Sequence, residues 1–311
     1  MKKITVEEQF SMEGLLNSPS AAGGRPQDNL EERLKDMDES GIDMQVISCV
    51  FPHGSFDNAS DATAMVKRIN DQLSRVVKKY PKRFASFASL APQDPNATAN
   101  ELERAVKDLG FKGAMVESNV KGEYFDDQKY WIIFERAEKL GVPIYLHPSI
   151  PSPDMIKPFL TYPVLTRAMW GFAAEAGLSA MRLICSGVFD KYPGLKIILG
   201  HMGEGIPYWL WRIDNRWERG KALHPDWYVG NLQKTPSQYF RENFYVTTSG
   251  MFWPPALQFI CSVLEDDKIL FAVDYPQESN KVAVEFIEST PISDSTKEKI
   301  CHLNTEKLLR L

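Results

Sequence analysis

Cysteine is scarce and scattered in this chain of 311 residues: the four, at positions 49, 185, 261 and 301, form no C-x-x-C pair. That pattern argues against both a zinc-ribbon site and a disulfide framework. Long apolar runs are missing too. No stretch reaches the ~18 residues of a membrane-spanning helix, so no contact with a membrane is expected. Basic runs are absent, and 36 Lys+Arg stand against 41 Asp+Glu, a net charge of −5. A nucleic-acid partner is therefore not expected. The opening segment, MKKITVEEQF, has Glu7 and Glu8 where a secretory signal would have its apolar core. These absences together lead us to expect a cytoplasmic protein kept reduced. Tandem repeats and low-complexity blocks are not found.

What is present is a globular composition, 43% hydrophobic and 25% charged, in a chain long enough to bury a large core without staples. Apolar strand patterns recur at 4–7, 44–50, 84–90, 113–117, 143–147, 195–201, 244–248 and 269–274. Helical patterns separate them, at 29–40, 62–79, 97–109, 127–140, 164–192, 205–219, 256–264 and 281–289, and a last helical stretch covers 294–311. Asn96 is the expected cap of the third helix. Several strands are apolar throughout, as at Lys196-Ile197-Ile198-Leu199-Gly200, which suits a parallel sheet buried on both faces. Strands alternating with helices in this way predict an α/β fold, a (β/α)₈ TIM barrel spanning residues 1–311 as a single domain. The alternative is an open doubly wound sheet. Its dinucleotide-binding form needs G-x-G-x-x-G after the first strand, where Gln9-Phe10-Ser11-Met12 stands instead. Two connections exceed ordinary loop length, a proline-rich one at 148–163 and another at 221–238.

Barrels of this kind carry their chemistry at the C-terminal ends of the strands. Four predicted strands end in ligand or acid–base side chains: Glu7-Glu8-Gln9, His147, His201 and Asp274. Glu7 and Gln9 are two apart and share a strand face. Histidine is rare here, five in all, and two of the five terminate predicted strands. Carboxylates with imidazoles suit Zn²⁺, Mn²⁺ or Fe²⁺, and a carboxylate-richer shell leans toward Mn²⁺ or Mg²⁺. Taken singly, each residue also has an ordinary structural explanation: Glu7 as a solvated strand end, His147 as a hydrogen-bonded core histidine, Asp274 as a helix cap. His53, in a loop after the second strand, can touch substrate or simply lie at the surface.

These residues resemble a family. Ile4-Thr5-Val6-Glu7-Glu8-Gln9-Phe10, Tyr145-Leu146-His147-Pro148, Ile198-Leu199-Gly200-His201-Met202-Gly203-Glu204-Gly205 and Phe271-Ala272-Val273-Asp274-Tyr275-Pro276 look like the amidohydrolase-related metal-dependent decarboxylases. This is the group of aminocarboxymuconate semialdehyde decarboxylase. The resemblance is strongest to its aromatic branch, the γ-resorcylate and 2,3-dihydroxybenzoate decarboxylases, and runs nearly the whole chain in order.

The resemblance implies one divalent metal ion (Zn²⁺, Mn²⁺ or Mg²⁺) held by Glu7, His147 and Asp274, and no organic cofactor. It implies catalytic roles for Asp274 as proton donor and for His201 oriented by Glu204. Arg212 matches a family arginine near the substrate carboxylate or the subunit contact, and Gln9 and His53 are further candidate substrate-binding residues. The implied reaction is non-oxidative decarboxylation of a hydroxylated aromatic carboxylic acid. The carboxylate and neighbouring phenolate would chelate the metal, and an acid would protonate the ring carbon. Two alternatives remain open: a metal-dependent lactone or amide hydrolase of the same superfamily, and a metal-poor, non-catalytic homologue. The second is suggested by Gln9, where the family pattern usually has histidine. Trp209, Trp211, Trp217, Trp227 and Tyr228 crowd together with Arg212, Arg216 and Arg219, residue types enriched at interfaces but equally those of a helix packed on the barrel. The resemblance tips the balance and implies a homo-dimer or homo-tetramer.

Overall fold

A computed structural model describes residues 1–11, 29–49, 56–227 and 232–311. The chain opens on β1 (Ile4–Gln9), α1 (Leu30–Ser40), β2 (Met44–Ser48) and α2 (Ala59–Lys79). Next come β3 (Phe84–Ser86), β4 (Ala88–Ser89), α3 (Pro95–Lys107), β5 (Ala114–Glu117), α4 (Trp131–Leu140) and β6 (Ile144–His147). The second half continues with α5 (Gly171–Ser186), α6 (Val188–Lys191), β7 (Ile197–Leu199), α7 (Ile206–Leu223), α8 (Pro236–Asn243) and β8 (Phe244–Thr247). It ends with α9 (Pro254–Val263), β9 (Ile269–Leu270), α10 (Asn280–Ser289), α11 (Asp294–Glu298) and α12 (Asn304–Leu309).

All strand pairs are parallel, in the orders β1-β2-β3 and β4-β5-β6-β7-β8-β9. The two runs are one sheet. β3 and β4 are a single strand interrupted at Phe87, whose amide still donates to Ile47 O of β2. The ends meet as well: Val6 N donates to Phe271 O and Gln9 N to Tyr275 O, which closes β1 against the chain at β9. The fold is therefore a (β/α)₈ barrel. Alternation along each strand divides its side chains between two cores. Ile4, Val6, Val46, Met115, Tyr145, Ile198 and Leu270 belong to a compact cluster that fills the interior. Ile47, Val116, Leu146, Leu199, Val246 and Phe271 belong to the larger cluster under the helices. Among the described residues no helix is long and apolar enough to cross a membrane.

Local chemistry explains where the helices begin and where the sequence reading needs correction. Asp94, not Asn96, caps α3: it accepts from Ala97 N at 3.0 Å and is followed by Pro95 in the first helical turn, where a missing N–H costs nothing. The helix expected over 164–192 starts only at Gly171 and is divided at Gly187, which adopts a left-handed conformation with φ 83°. The connection expected over 221–238 is shorter. α7 runs on to Leu223, and α8 begins at Pro236 with a reciprocal capping box between Thr235 and Gln238, which satisfies two backbone amides at the helix start. The 148–163 connection is tied down from below. The amide of Ser152 donates to Oε2 of buried Glu175 at 3.2 Å, and Asn119 donates to Oε1 at 2.9 Å.

Candidate active site

The strand ends converge on one cluster. Glu7, His147 and Asp274 each present a ligand atom, and these atoms lie within 4.8 Å of one another. Strict alternation from Ile4 and Val6 would send Glu8 inward. A bulge in β1 shifts the register between Val6 and Glu8, with Glu7 at φ 80°, and the face is exchanged by one residue. Glu7 and Gln9 then both reach the site, as period-two spacing anticipated, although the strand between them is not regular. Left-handed backbone recurs around the site at His201, Met202, Glu204 and Asp274. Lys121 and Arg310 are the other non-glycine cases among the described residues. Such conformations persist only where the surroundings over-determine them.

The two oxygens of Glu7 have different surroundings. Oε2 accepts hydroxyl hydrogen bonds from Tyr145, Ser249 and, at 3.2 Å, Thr247. Oε1 is buried with no hydrogen-bond partner and lies 3.9 Å from His147 Nε2. Burial pushes the Glu7 carboxyl up to about 7, with the positive charge of His201 opposing and Asp274 adding to the rise. Gly200 lies under the same carboxylate. A Cβ there would stand 3.1 Å from Glu7 Oε1 and from the Tyr145 hydroxyl, so a side chain at position 200 would displace the cluster.

His147 donates its Nδ1–H to Pro148 O at 2.8 Å, which leaves the Nε2 lone pair facing the cluster. Burial, with His201 adding, pulls its pKa down to about 4, so the imidazole is neutral at neutral pH. Gln9 donates through Nε2 to Asp274 Oδ1 at 3.1 Å and lies 3.4 Å from His147 Nε2. A bare buried carboxylate oxygen, an imidazole lone pair met by the Gln9 amide and a second carboxylate make a donor set that fits a divalent cation.

His201 stands beside this group. Its Nδ1–H donates to Glu204 Oε1 at 2.7 Å, and its Nε2 faces Asp274 Oδ2 at 4.0 Å. Burial alone would lower its pKa, but the carboxylates of Glu204, Glu7 and Asp274 around it, and the hydrogen bond to Glu204, raise it well above the usual value. Gly250 packs against the ring: a Cβ there would lie 3.2 Å from His201 Cδ2.

Of the sequence candidates, Glu7, Gln9, His147, His201, Glu204 and Asp274 are brought together. Arg212 is not, being exposed on α7 with no hydrogen bond or ion pair to the cluster among the described residues. His53 lies outside the described residues. The sequence reading missed the hydroxyl grip on Glu7. Tyr145 carried a usable signal, since it lies two residues before His147 on one strand and so shares its face.

Comparison with known proteins matches residues 19–311 to the amidohydrolase family model. The γ-resorcylate decarboxylase of Polaromonas sp. (strain JS666) is 39% identical, covering 99% of this chain and 98% of its own. A crystal structure of 2,6-dihydroxybenzoate decarboxylase complexed with 2,6-dihydroxybenzoate superposes with a TM-score of 0.91 at 35% identity, covering both chains completely. The dihydroxybenzoic acid decarboxylase from Polaromonas sp. JS666, with bound manganese and the inhibitor 2-nitroresorcinol, superposes at 0.90 with 37% identity, covering 100% of this chain and 97% of that one.

Proposed function

The chain belongs to the amidohydrolase family, and on that premise we propose that it is a metal-dependent, non-oxidative decarboxylase of a hydroxylated aromatic carboxylic acid. One observation carries the reading. The bare, buried Oε1 of Glu7 faces His147 and Asp274 in a chain that matches γ-resorcylate decarboxylase along its full length. Residues 1–311 act as one barrel domain in this reading. Glu7, His147 and Asp274 would hold a single divalent ion, with manganese the first candidate because a similar enzyme binds it. When bound, that ion supplies positive charge for the substrate carboxylate and an adjacent phenolate, and lowers the pKa of the phenol.

The protein's own groups do the rest. The ring carbon that bears the carboxylate must receive a proton before the C–C bond can break, because protonation there gives the departing electron pair a place to return. We assign that proton to Asp274. Oδ1 is steadied by the Gln9 amide, and Oδ2 looks toward His201 Nε2. As the bond breaks, its electrons restore the aromatic ring and CO₂ leaves. His201 then returns a proton to Asp274 and takes up one from solvent, which supplies the proton the reaction consumes. Glu204 fixes the orientation of His201 through Nδ1 and stabilises its charge. Gln9 also stands where it can meet the substrate. No organic cofactor enters, since the ring itself takes up the electron pair.

Arg212 fits the subunit-contact role better than a substrate role within its own chain. It shares α7 with Trp211, 78% exposed, and Tyr208, 72% exposed. Tyr208 packs edge-on against Trp209 and tilted against Phe259. Such an apolar face marks an interaction surface, and we assign it to a homo-dimer or homo-tetramer of a cytoplasmic enzyme. Sedimentation at micromolar concentration tests this, and a monomer would refute it.

The reaction is tested by incubating a panel of hydroxybenzoates after reconstitution with Mn²⁺, Mg²⁺ or Zn²⁺. The expected products are CO₂ and the corresponding phenol in equal amounts, with turnover abolished by chelation. A ring-opened acid from a lactone substrate, without CO₂, would overturn the assignment in favour of a hydrolase.

A further inference from the structure

Glu8 stands beside Glu7 but outside its cluster, and no step above uses it. It is fully buried. One carboxylate oxygen accepts from Val273 N at 3.1 Å and the other from Tyr275 N at 3.0 Å. These are the residues on either side of Asp274. A regular parallel ladder would satisfy both amides with main-chain carbonyls of β1. Across the bulge at Glu7, a side-chain carboxylate takes their place. The residue between the two amides is Asp274, at φ 73°, a left-handed conformation that a non-glycine residue keeps only where its surroundings hold it.

The positive charge of Arg33 of α1, itself buried, acts on Glu8. Its guanidinium donates to Gln9 O at 2.5 Å and to Gln45 Oε1 at 2.9 Å. It also lies over the Tyr275 ring at 4.5 Å and the Phe10 ring at 5.3 Å. Arg33 thus holds the end of β1 and the residue after Asp274 at once. Gln45 passes the hydrogen bonding on to Asn280 and Asp36, so the arrangement is anchored in both α1 and α10.

We propose that Glu8 is a positioning residue for the metal site: backed by Arg33, its carboxylate clamps the main chain on both sides of Asp274 and so sets the Asp274 carboxylate opposite Glu7 and His147. The proposal rests on the reading of Glu7, His147 and Asp274 as metal ligands. It gives Glu8 no contact with substrate. It separates two neighbouring glutamates by role, Glu7 to the ion and Glu8 to the backbone that presents another ligand.

The test is Glu8→Gln, which keeps size and one acceptor but turns an NH₂ group against one of the two amides. Mn²⁺ affinity is measured without substrate, by chelator competition and by the electron paramagnetic resonance of the bound ion, while circular dichroism melting reports folding. Loss of a group that orients a metal ligand costs about 10–100-fold in affinity or activity. We expect a cooperatively folded variant, Mn²⁺ bound at least tenfold more weakly, an altered resonance, and a fall in kcat that exceeds any change in KM. Glu8→Asp, which keeps both acceptors on a shorter stem, should recover part of the loss, and it decides the question by the same measurement if Glu8→Gln does not fold. A folded variant that binds Mn²⁺ within twofold of wild type, with an unchanged resonance, overturns the proposal and leaves Glu8 as a closure of the barrel seam. Because the metal is read without substrate, a wild-type protein that binds Mn²⁺ but releases no CO₂ overturns the decarboxylase reading alone. A wild-type protein that binds no Mn²⁺ overturns the ligand assignment and the clamp with it.

Discussion

Oε1 of Glu7 and Nε2 of His147 face each other 3.9 Å apart, and among the described residues no group donates a hydrogen bond to Oε1. A divalent cation between them would satisfy both atoms in the proposed ligand set, where His147 Nε2 otherwise meets the Gln9 amide nitrogen at 3.4 Å. Glu7 and His147 come from β1 and β6, and only closure of the barrel unites them. His147→Ala should strip the metal and abolish turnover while the circular dichroism melt stays cooperative, because the ring packs at the barrel mouth and not in the interior cluster. Metal analysis of the purified variant checks this. Full metal content with an unchanged rate would show that the ligand set is wrongly assigned.

His201 is expected to act in the chemistry and not in holding the metal. Its Nδ1 is committed to Glu204 and its Nε2 stands 4.0 Å from Asp274 Oδ2. Loss of an acid–base group costs about 10²–10⁴-fold in rate. His201→Asn should keep its metal and lose turnover on that scale, measured as kcat at saturating aromatic acid with metal content determined on the same sample. If the metal is lost instead, His201 belongs among the ligands.

Glu175 provides a test of stability against pH away from the ligands. It is buried, and burial raises its pKa above 4.5, opposed by hydrogen bonds that include Tyr124, the Ser152 amide and Asn119. A carboxyl with a raised folded-state pKa binds its proton more tightly when folded. Its contribution is therefore fully present below the unfolded value and is lost as pH rises through the folded one. Between those two values wild-type stability should fall with rising pH, by at most about 1.4 kcal/mol per pH unit from this group. Glu175→Gln removes the titration and should flatten that part of the curve, even if the loss of one acceptor lowers stability throughout. Urea unfolding at several pH values from 4.5 upward measures it, and parallel curves for the two proteins would sink the idea.

Much of this architecture was legible because its causes are periodic. Strands such as Ile197–Leu199 are apolar at every position, and a strand buried on both faces leaves that trace in sequence. His147, His201 and Asp274 each follow an apolar run directly, so their place at the rim could be read without coordinates. Other features have no periodic trace. The bulge at Glu7 is an interruption of alternation, and two adjacent glutamates do not announce which one turns inward. The hydroxyl grip of Tyr145, Thr247 and Ser249 on Glu7 Oε2 joins three strands far apart in the chain, which no local spacing encodes. Arg212 shows the converse: a motif match on α7 suggested a place near the substrate carboxylate or the subunit contact, and among the described residues of its own chain it reaches no group of the site.

Gln9 is where this chain leaves the Glu-x-His pattern, and its geometry makes the consequence measurable. Its amide nitrogen donates to Asp274 Oδ1 at 3.1 Å and lies 3.4 Å from His147 Nε2, so the side chain stands among the proposed ligand atoms. A neutral amide oxygen turned toward a cation is a hard donor, and the amide nitrogen serves equally to hold a ligand carboxylate in place. Either way position 9 offers no imidazole. Imidazole favours Zn²⁺, whereas oxygen-rich sets suit Mn²⁺ and Mg²⁺. The wild-type site should therefore bind Zn²⁺ more weakly than a Glu-x-His site and lean toward the harder ions. Gln9→His should raise Zn²⁺ affinity by about tenfold or more, the scale on which a change at a metal site is usually felt, with a smaller change for Mn²⁺. Competition titrations of both proteins with a chelator measure the two affinities side by side. Equal Zn²⁺ affinity in wild type and Gln9→His would show that position 9 does not reach the metal and would confine Gln9 to steadying Asp274.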